Sequence, residues 1–231
     1  HSNLRRQRQM CIRDSYECHP ASFFTLLNNK ATLLNSKNFK ATWNQLDYQI
    51  KDRIPGFFKK KQQDTDLEVF HSLYQTLPEN CILHLGNSSV VRYMQLFDPV
   101  PNVRYEANRG TSGIDGCTST AIGSAMASPG TQHVFISGDV SFIYDSNALW
   151  IDPFPINLKI VVIDNKGGGI FKIIDGSKSA NQLERYFEAK HTTNTAEIAK
   201  SFGLRVHTGK EKIDYQENII AFFQDEKAQV L

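Results

Sequence analysis

Cysteine is scarce in this chain: four among 231 residues, at Cys11, Cys18, Cys81 and Cys117, with no C-x-x-C pair. That spacing offers neither a zinc framework nor a disulfide scaffold, and free thiols in a reducing cytoplasm are the plain reading. Long hydrophobic runs are also missing. No stretch approaches the roughly 18 consecutive apolar residues of a membrane-spanning helix, so no integral membrane segment is expected. Neither sign of charge dominates, with 26 Lys plus Arg against 24 Asp plus Glu, which removes the electrostatic reason to expect a nucleic acid partner. Internal repeats and low-complexity tracts are absent. What remains has 40% hydrophobic and 22% charged residues, the balance of an ordinary globular protein. Its length suits one large domain with part of a second.

The two ends depart from this pattern. Residues 1–15, HSNLRRQRQMCIRDS, carry four Arg and almost no apolar periodicity. They lack the apolar core of a secretory signal, Asp14 argues against a transit peptide, and no aromatic residue is interleaved as in a nucleic-acid-binding arm. They read as a non-native tail. At the other end Lys227–Leu231 stops just as a strand begins, so a fragment is expected. Residues 16–65 are irregular, with helical spacing at Phe23, Phe24, Leu26 and Leu27 and again at Trp43, Leu46 and Ile50, then a linker near Lys59–Lys61.

From Asp66 onward the pattern is regular. Leu67, Phe70, Leu73 and Tyr74 make a helical stripe. Strands are expected at 81–85, 103–105, 133–137, 158–163 and 204–206, with helices at 90–94, 114–126, 141–150, 198–202 and 213–223. Apolar strands alternating with helices predict an α/β fold, a parallel sheet covered by helices on both faces. Right-handed crossovers then gather the strand-to-helix loops at one edge.

Three of those loops hold the unusual residues. Gly86-Asn87-Ser88-Ser89 opens a helix in which Arg92 lies four residues after Ser88, on the same face. A helix cap is the bland account of Asn87 or Ser88. Asn108-Arg109-Gly110-Thr111-Ser112-Gly113-Ile114-Asp115-Gly116 packs three Gly and a charge of each sign into nine residues. It is either a flexible turn with a structural Arg–Asp pair or a backbone suited to anions. Third, Gly138-Asp139-Val140-Ser141 ends one strand, and Asp164-Asn165-Lys166-Gly167 ends the next. A carboxylate from Asp139 and an amide oxygen from Asn165, with the Gly167 carbonyl, form the donor set of a hard divalent cation. Backbone N–H groups at the start of the helix near Ser141 suit a diphosphate bridging to that ion. Gly-Asp alone is common. Gly-Asp followed by Asn-x-Gly after one helix and one strand is far more specific.

That constellation resembles the cofactor motif of the thiamine-diphosphate decarboxylases and carboligases. Within that superfamily Gly86–Arg92, Asn108–Gly116, Gly138–Asp145 and Asn165–Phe171 resemble the 2-succinyl-5-enolpyruvyl-6-hydroxy-3-cyclohexene-1-carboxylate synthases of menaquinone biosynthesis. The match runs in order from about Asp66 to the C-terminus, and residues 16–65 resemble the end of that family's middle domain with its linker. Asp164 departs from the family, where many members show Asn. The resemblance implies that residues 66–231 form the pyrophosphate-binding domain, with thiamine diphosphate and Mg2+ (or Mn2+) as cofactors. It implies a metal site of Asp139, Asn165 and Gly167, and a cofactor site of Ile114, Gly138, Asp139, Val140, Ser141, Asn165 and Gly167. It places Asn87, Ser88, Arg92, Arg109, Ile170 and Phe171 on substrate, although Ile170 and Phe171 also read as ordinary core. The implied reaction joins decarboxylated 2-oxoglutarate to isochorismate in a homo-oligomer, a dimer or tetramer, in the cytoplasm. The family's activating glutamate lies in a pyrimidine-binding domain that no residue here matches. No catalytic residue is therefore assigned, and the chain alone is expected to be inactive. Two rivals stand: another thiamine diphosphate enzyme of the acetolactate synthase or benzoylformate decarboxylase type, and a non-catalytic phosphate-binding α/β module.

Overall fold

Successive side chains of a strand face opposite sides of a sheet, and three of the four strand sequences here carry apolar residues in both phases. In the computed structural model, which describes residues 17–30, 38–59, 65–208, 212–225 and 229–231, this produces two cores on either side of one parallel sheet. The strands are β1 (Ile82–Leu85), β2 (Arg104–Ala107), β3 (His133–Gly138) and β4 (Leu158–Ile163), in spatial order β2-β1-β3-β4. Val134 and Ile136 enter one core with Leu83, Leu85 and Val161, whereas Phe135 enters the other with Leu158 and Ile160.

The chain divides into a first unit ending at Lys60 and a second beginning at Lys61. In the first, α1 (Pro20–Lys30) and α2 (Phe39–Lys59) bear no buried residue, and Phe24, Trp43, Tyr48 and Ile50 are exposed. The tail at 1–15, Cys11 and the linker at 60–64 lie outside the described residues. No helix among the described residues is long and apolar enough to cross a membrane.

In the second unit α3 (Asp66–Thr76) starts where Thr65 accepts the Glu68 N–H, a capping arrangement that satisfies one orphan donor. Phe70 and Leu73 of α3, Val90 and Met94 of α4 (Ser89–Met94) and Ile219 and Phe222 of α8 (Lys212–Gln224) fill the first core. The second is filled from α5 (Cys117–Ala127), α6 (Asp139–Tyr144) and α7 (Thr195–Ser201) by Ile122, Phe142 and Ala199. Asn194 caps α7, accepting from Ala196 and Glu197.

Several expected boundaries move, each for a local reason. The helix expected from Ile114 begins at Cys117, because Gly116 sits at φ +70° and cannot continue a right-handed helix backwards. The helix expected over 141–150 starts at Asp139 and breaks at Asp145, whose Oδ2 accepts from the N–H (2.7 Å) and hydroxyl (3.0 Å) of Ser119. A 3-10 turn, Ser146–Trp150, follows. The strand expected over 204–206 shrinks to one bridge, Val206 to Val230, and Val230 also bridges to Ile160 of β4. Gln229–Leu231 thereby extend the sheet beside β4.

Candidate functional site

The chain runs outward from β1 in both directions, to β2 on one side and to β3 on the other. Loops at the carboxyl ends of β1 and β3 must diverge at this switch point, and the crevice between them is where open α/β sheets bind ligands. Here it is a cleft of about 600 Å³, a size suited to a cofactor or small substrate. All thirteen site residues named from the sequence line it, together with Asp66, Phe70, Tyr186 and Phe187.

The β1 loop is organised by Asn87, only 2% exposed. Its Nδ2 donates to the carbonyls of Asn108 (2.8 Å) and Gly113 (2.6 Å), and its Oδ1 accepts from Arg109 Nη1 (2.8 Å). The sequence places Asn87 on substrate. In the structure its amide is engaged in holding the glycine-rich loop and aiming Arg109. Ser88 next to it adopts φ +73°, a left-handed value uncommon for a residue with a Cβ. Arg92 folds back to donate to the Ser88 carbonyl at 3.2 Å, so both arginines stand exposed at the cleft with part of each fork committed.

Ile114 is pinned from the β3 side, because the Ser141 hydroxyl donates to its carbonyl. This fixes an apolar side chain on the cleft wall ahead of α5. Asp139, buried at 2% exposure, accepts from Val140 N–H on Oδ1 (2.7 Å) and from Gly167 N–H on Oδ2 (2.9 Å). Asn165 donates through Nδ2 to Asp66 at 2.9 Å, which leaves its amide oxygen as the group a cation would use. The Gly167 carbonyl accepts from Gly169 N–H at 3.0 Å and retains a second lone pair. Gly167 also tolerates no side chain: a Cβ there would lie 2.7 Å from the Glu188 carbonyl oxygen.

Two further residues enter this cluster: Asp164, which the sequence showed beside Asn165, and His191, which no local sequence pattern marks. One ligand atom from each of Asp139, Asp164 and His191 lies within 4.8 Å of the others. Burial, with the Asp164 charge adding to it, holds the Asp139 carboxyl above the usual carboxylate range against the pull of its N–H donors. Burial also pushes Asp164 up, but hydrogen bonds from Lys166 and Thr195 outweigh it and leave Asp164 low. The carboxylate, amide and carbonyl oxygens gathered here, from Asp139, Asp164, Asn165 and Gly167, are those a hard divalent ion takes. The residues present therefore fit a divalent cation, and the apolar wall at Ile114, Val140 and Ile163 fits the organic part of a bound cofactor.

Comparison with known proteins bears on the same region. Residues 86–231 match the family model described as thiamine pyrophosphate enzyme, C-terminal TPP binding domain. A 2-succinyl-5-enolpyruvyl-6-hydroxy-3-cyclohexene-1-carboxylate synthase of Flavobacterium johnsoniae is 37% identical over 211 residues, 90% of this chain and 37% of that protein. The synthase of the same name from Christiangramia forsetii is 39% identical over 161 residues, 70% of this chain and 28% of that protein. The one from Flavobacterium psychrophilum is 46% identical over 138 residues, 60% and 25% of the two chains. The chain thus spans about a third of the length of the curated relatives it matches. Among solved structures, the Rhodococcus jostii RHA1 thiamine diphosphate-dependent 4-hydroxybenzoylformate decarboxylase superposes with a TM-score of 0.57 at 17% identity, covering 74% of this chain and 33% of its own, a likeness of fold. A model matched over well more than half of the residues, on the sheet and loops that build the cleft, shows that the chain belongs to the thiamine pyrophosphate enzymes and carries their C-terminal TPP-binding domain.

Proposed function

We propose that the protein to which this chain belongs joins decarboxylated 2-oxoglutarate to isochorismate, giving 2-succinyl-5-enolpyruvyl-6-hydroxy-3-cyclohexene-1-carboxylate in menaquinone biosynthesis. The observation that carries this reading is the meeting of two arginines, Arg92 and Arg109, with the oxygen donors Asp139, Asn165 and Gly167 in one cleft. The chain is similar over 90% of its length to a synthase of that name. Both substrates are dicarboxylates, and planar guanidinium forks pair with carboxylates better than an ammonium does.

Within the site, Asp139, Asn165 and the Gly167 carbonyl would hold Mg2+ or Mn2+, and the backbone from Gly138 to Ser141 would receive the diphosphate beside it. Thiamine diphosphate, when bound, supplies the electron sink that lets a 2-oxo acid lose carbon dioxide. The residues of this chain bind and orient around it. Ile114, held through its carbonyl by Ser141, would offer an apolar support to the bound cofactor. Asn87 holds Arg109 in position, while the Ser88 carbonyl holds Arg92, so each fork is pre-aimed before a carboxylate arrives. Ile170 and Phe171 shield the apolar side of the cleft from water. Residues 66–231 are read as the pyrophosphate-binding domain of a cytoplasmic homo-oligomer, with residues 16–65 as the end of a preceding domain and residues 1–15 as a non-native tail. Proton transfer to the cofactor is assigned to no residue of this chain.

The test is a product assay on the protein expressed from its complete reading frame, with thiamine diphosphate and magnesium. Condensation of 2-oxoglutarate with isochorismate, and little turnover of pyruvate, is the expected result. Turnover of pyruvate or benzoylformate in its place assigns a different thiamine enzyme. No binding of thiamine diphosphate at all leaves a phosphate-binding module. For this 231-residue chain by itself, no turnover is expected, and measurable product would overturn the assignment of the missing proton-transfer group to another part of the protein.

A further inference from the structure

Asp139 is gripped from three directions, two of them by backbone at the carboxyl ends of the neighbouring strands β3 and β4. Val140 and Gly167 donate backbone N–H groups that the strand ends place there in any case. The third partner is His191, 52 residues further along, whose Nε2 lies 3.1 Å from Asp139 Oδ2. Both Asp139 oxygens already accept from backbone N–H groups, so the imidazole is the donor here and Nε2 carries the proton. The other ring nitrogen, Nδ1, is buried with no hydrogen-bond partner. A buried polar atom left unsatisfied costs stability, so this ring is kept in place for what its Nε2 does.

The segment that delivers His191 is tied to the candidate cation loop. The His191 N–H donates to the Lys166 carbonyl at 3.4 Å, and the Glu188 carbonyl accepts from Gly168 N–H at 2.5 Å. Glu188 is anchored in turn by Lys172 at 2.6 Å. A carboxylate oxygen of Asp164, on the same loop, lies within 4.8 Å of ligand atoms of both Asp139 and His191.

From this arrangement we infer that His191 is a positioning residue of the divalent-cation site: its Nε2–H on Oδ2 fixes the rotation of the Asp139 carboxylate. The inference rests on the reading of Asp139 as a cation ligand. Hydrogen-bond partners of ligating carboxylates set metal affinity, typically by about 10–100-fold.

The experiment follows free Mn2+ by electron paramagnetic resonance while titrating the protein expressed from its complete reading frame, in the presence of thiamine diphosphate. His191→Ala is expected to weaken Mn2+ binding by about 10–100-fold and to alter the spectrum of the bound ion. His191→Gln, whose amide N–H can replace the imidazole donor, is expected to recover most of that affinity. The thermal midpoint of the metal-free protein should move little in either variant. Unchanged Mn2+ affinity in His191→Ala overturns the inference. So does a loss that Gln does not restore, or one that follows a fall in the metal-free midpoint. A wild-type protein that binds no Mn2+ overturns the cation reading itself, a failure seen before any variant is made.

Discussion

Arg92 and Arg109 reach one cleft by different routes, and each arrives partly committed. Arg92 is carried by the short helix α4 and bent back onto Ser88, whereas Arg109 sits on the glycine-rich loop and is aimed by Asn87. A lysine at 92 would keep the charge but lose the fork. Arg92→Lys is therefore expected to lower kcat/KM by about 10–100-fold, the equivalent of one charge-assisted hydrogen bond worth about 1.5–3 kcal/mol. Thiamine diphosphate affinity, read by calorimetry, should not change. A selective loss of cofactor affinity would instead make Arg92 a cofactor or structural residue. Lys159 shows another side of the residue scale. It sits inside an otherwise apolar strand, and its ammonium donates to the carbonyls of Phe222 (2.8 Å) and Asp225 (2.6 Å) at the end of α8. Burial lowers its pKa, opposed by Asp225. A strand side chain thus caps a helix, a pairing that sequence neighbours do not reveal.

Among the elements, the segment from Asn165 to His191 departs furthest from regular structure. It passes through 3-10 turns at Gly169–Lys172 and Ser177–Ser179 and a π turn at Leu183–Phe187. Its conformation is set by close packing of backbone on backbone at Gly167 and Gly168. Gly167→Ala would drive a methyl to 2.7 Å from the Glu188 carbonyl oxygen, so the segment must shift. A loss of about 1–3 kcal/mol is expected in urea unfolding, the usual cost of forced overpacking. Gly116→Ala makes the useful contrast. Its Cβ meets open space, but φ is +70°, so about 1 kcal/mol of backbone strain is expected with no displaced neighbour. Equal losses in the two variants would show that backbone conformation, and not the Glu188 contact, governs Gly167.

For the second unit as a whole, acid stability should depend on a buried histidine pair in the sheet. His84 of β1 and His133 of β3 stack with ring centroids 5.2 Å apart, Nε2 to Nδ1 at 2.9 Å, and Ser128 Oγ lies 2.8 Å from His133 Nε2. Burial, helped by His133, drives His84 down to about 4 from an ordinary 6.5. Between those values the unfolded chain holds a proton that the folded chain refuses. The contribution is complete above about pH 6.5 and is lost as pH falls toward 4, at most about 3 kcal/mol. Urea unfolding at pH 7 and pH 4.5 checks this. His84→Gln keeps a hydrogen-bonding amide but cannot titrate, and its stability should fall less over that interval than the wild type's. An identical fall in both would place the acid sensitivity elsewhere. Among the described residues of the first unit no comparable buried group occurs, since neither α1 nor α2 has a buried residue.

The sequence by itself determined the layered α/β arrangement, because strands with apolar residues in both phases, alternating with helices, are buried by a sheet covered on both faces. It also marked the loops that the structure brings to one cleft, since Gly-Asp at one strand end and Asn-x-Gly at the next stand out by composition and spacing. Helix boundaries around the cleft were legible only to within a few residues, because Gly116 and Asp145 act through φ and through a bond to Ser119 that periodicity does not record. Tertiary structure decided the partners. It assigned Asn87 to aiming Arg109 and holding the glycine-rich loop, paired Asn165 with Asp66 across 99 positions, and set His191 against Asp139. The reason is physical: a buried polar group must find a partner in space, and local pattern constrains only the few residues that share its turn or strand.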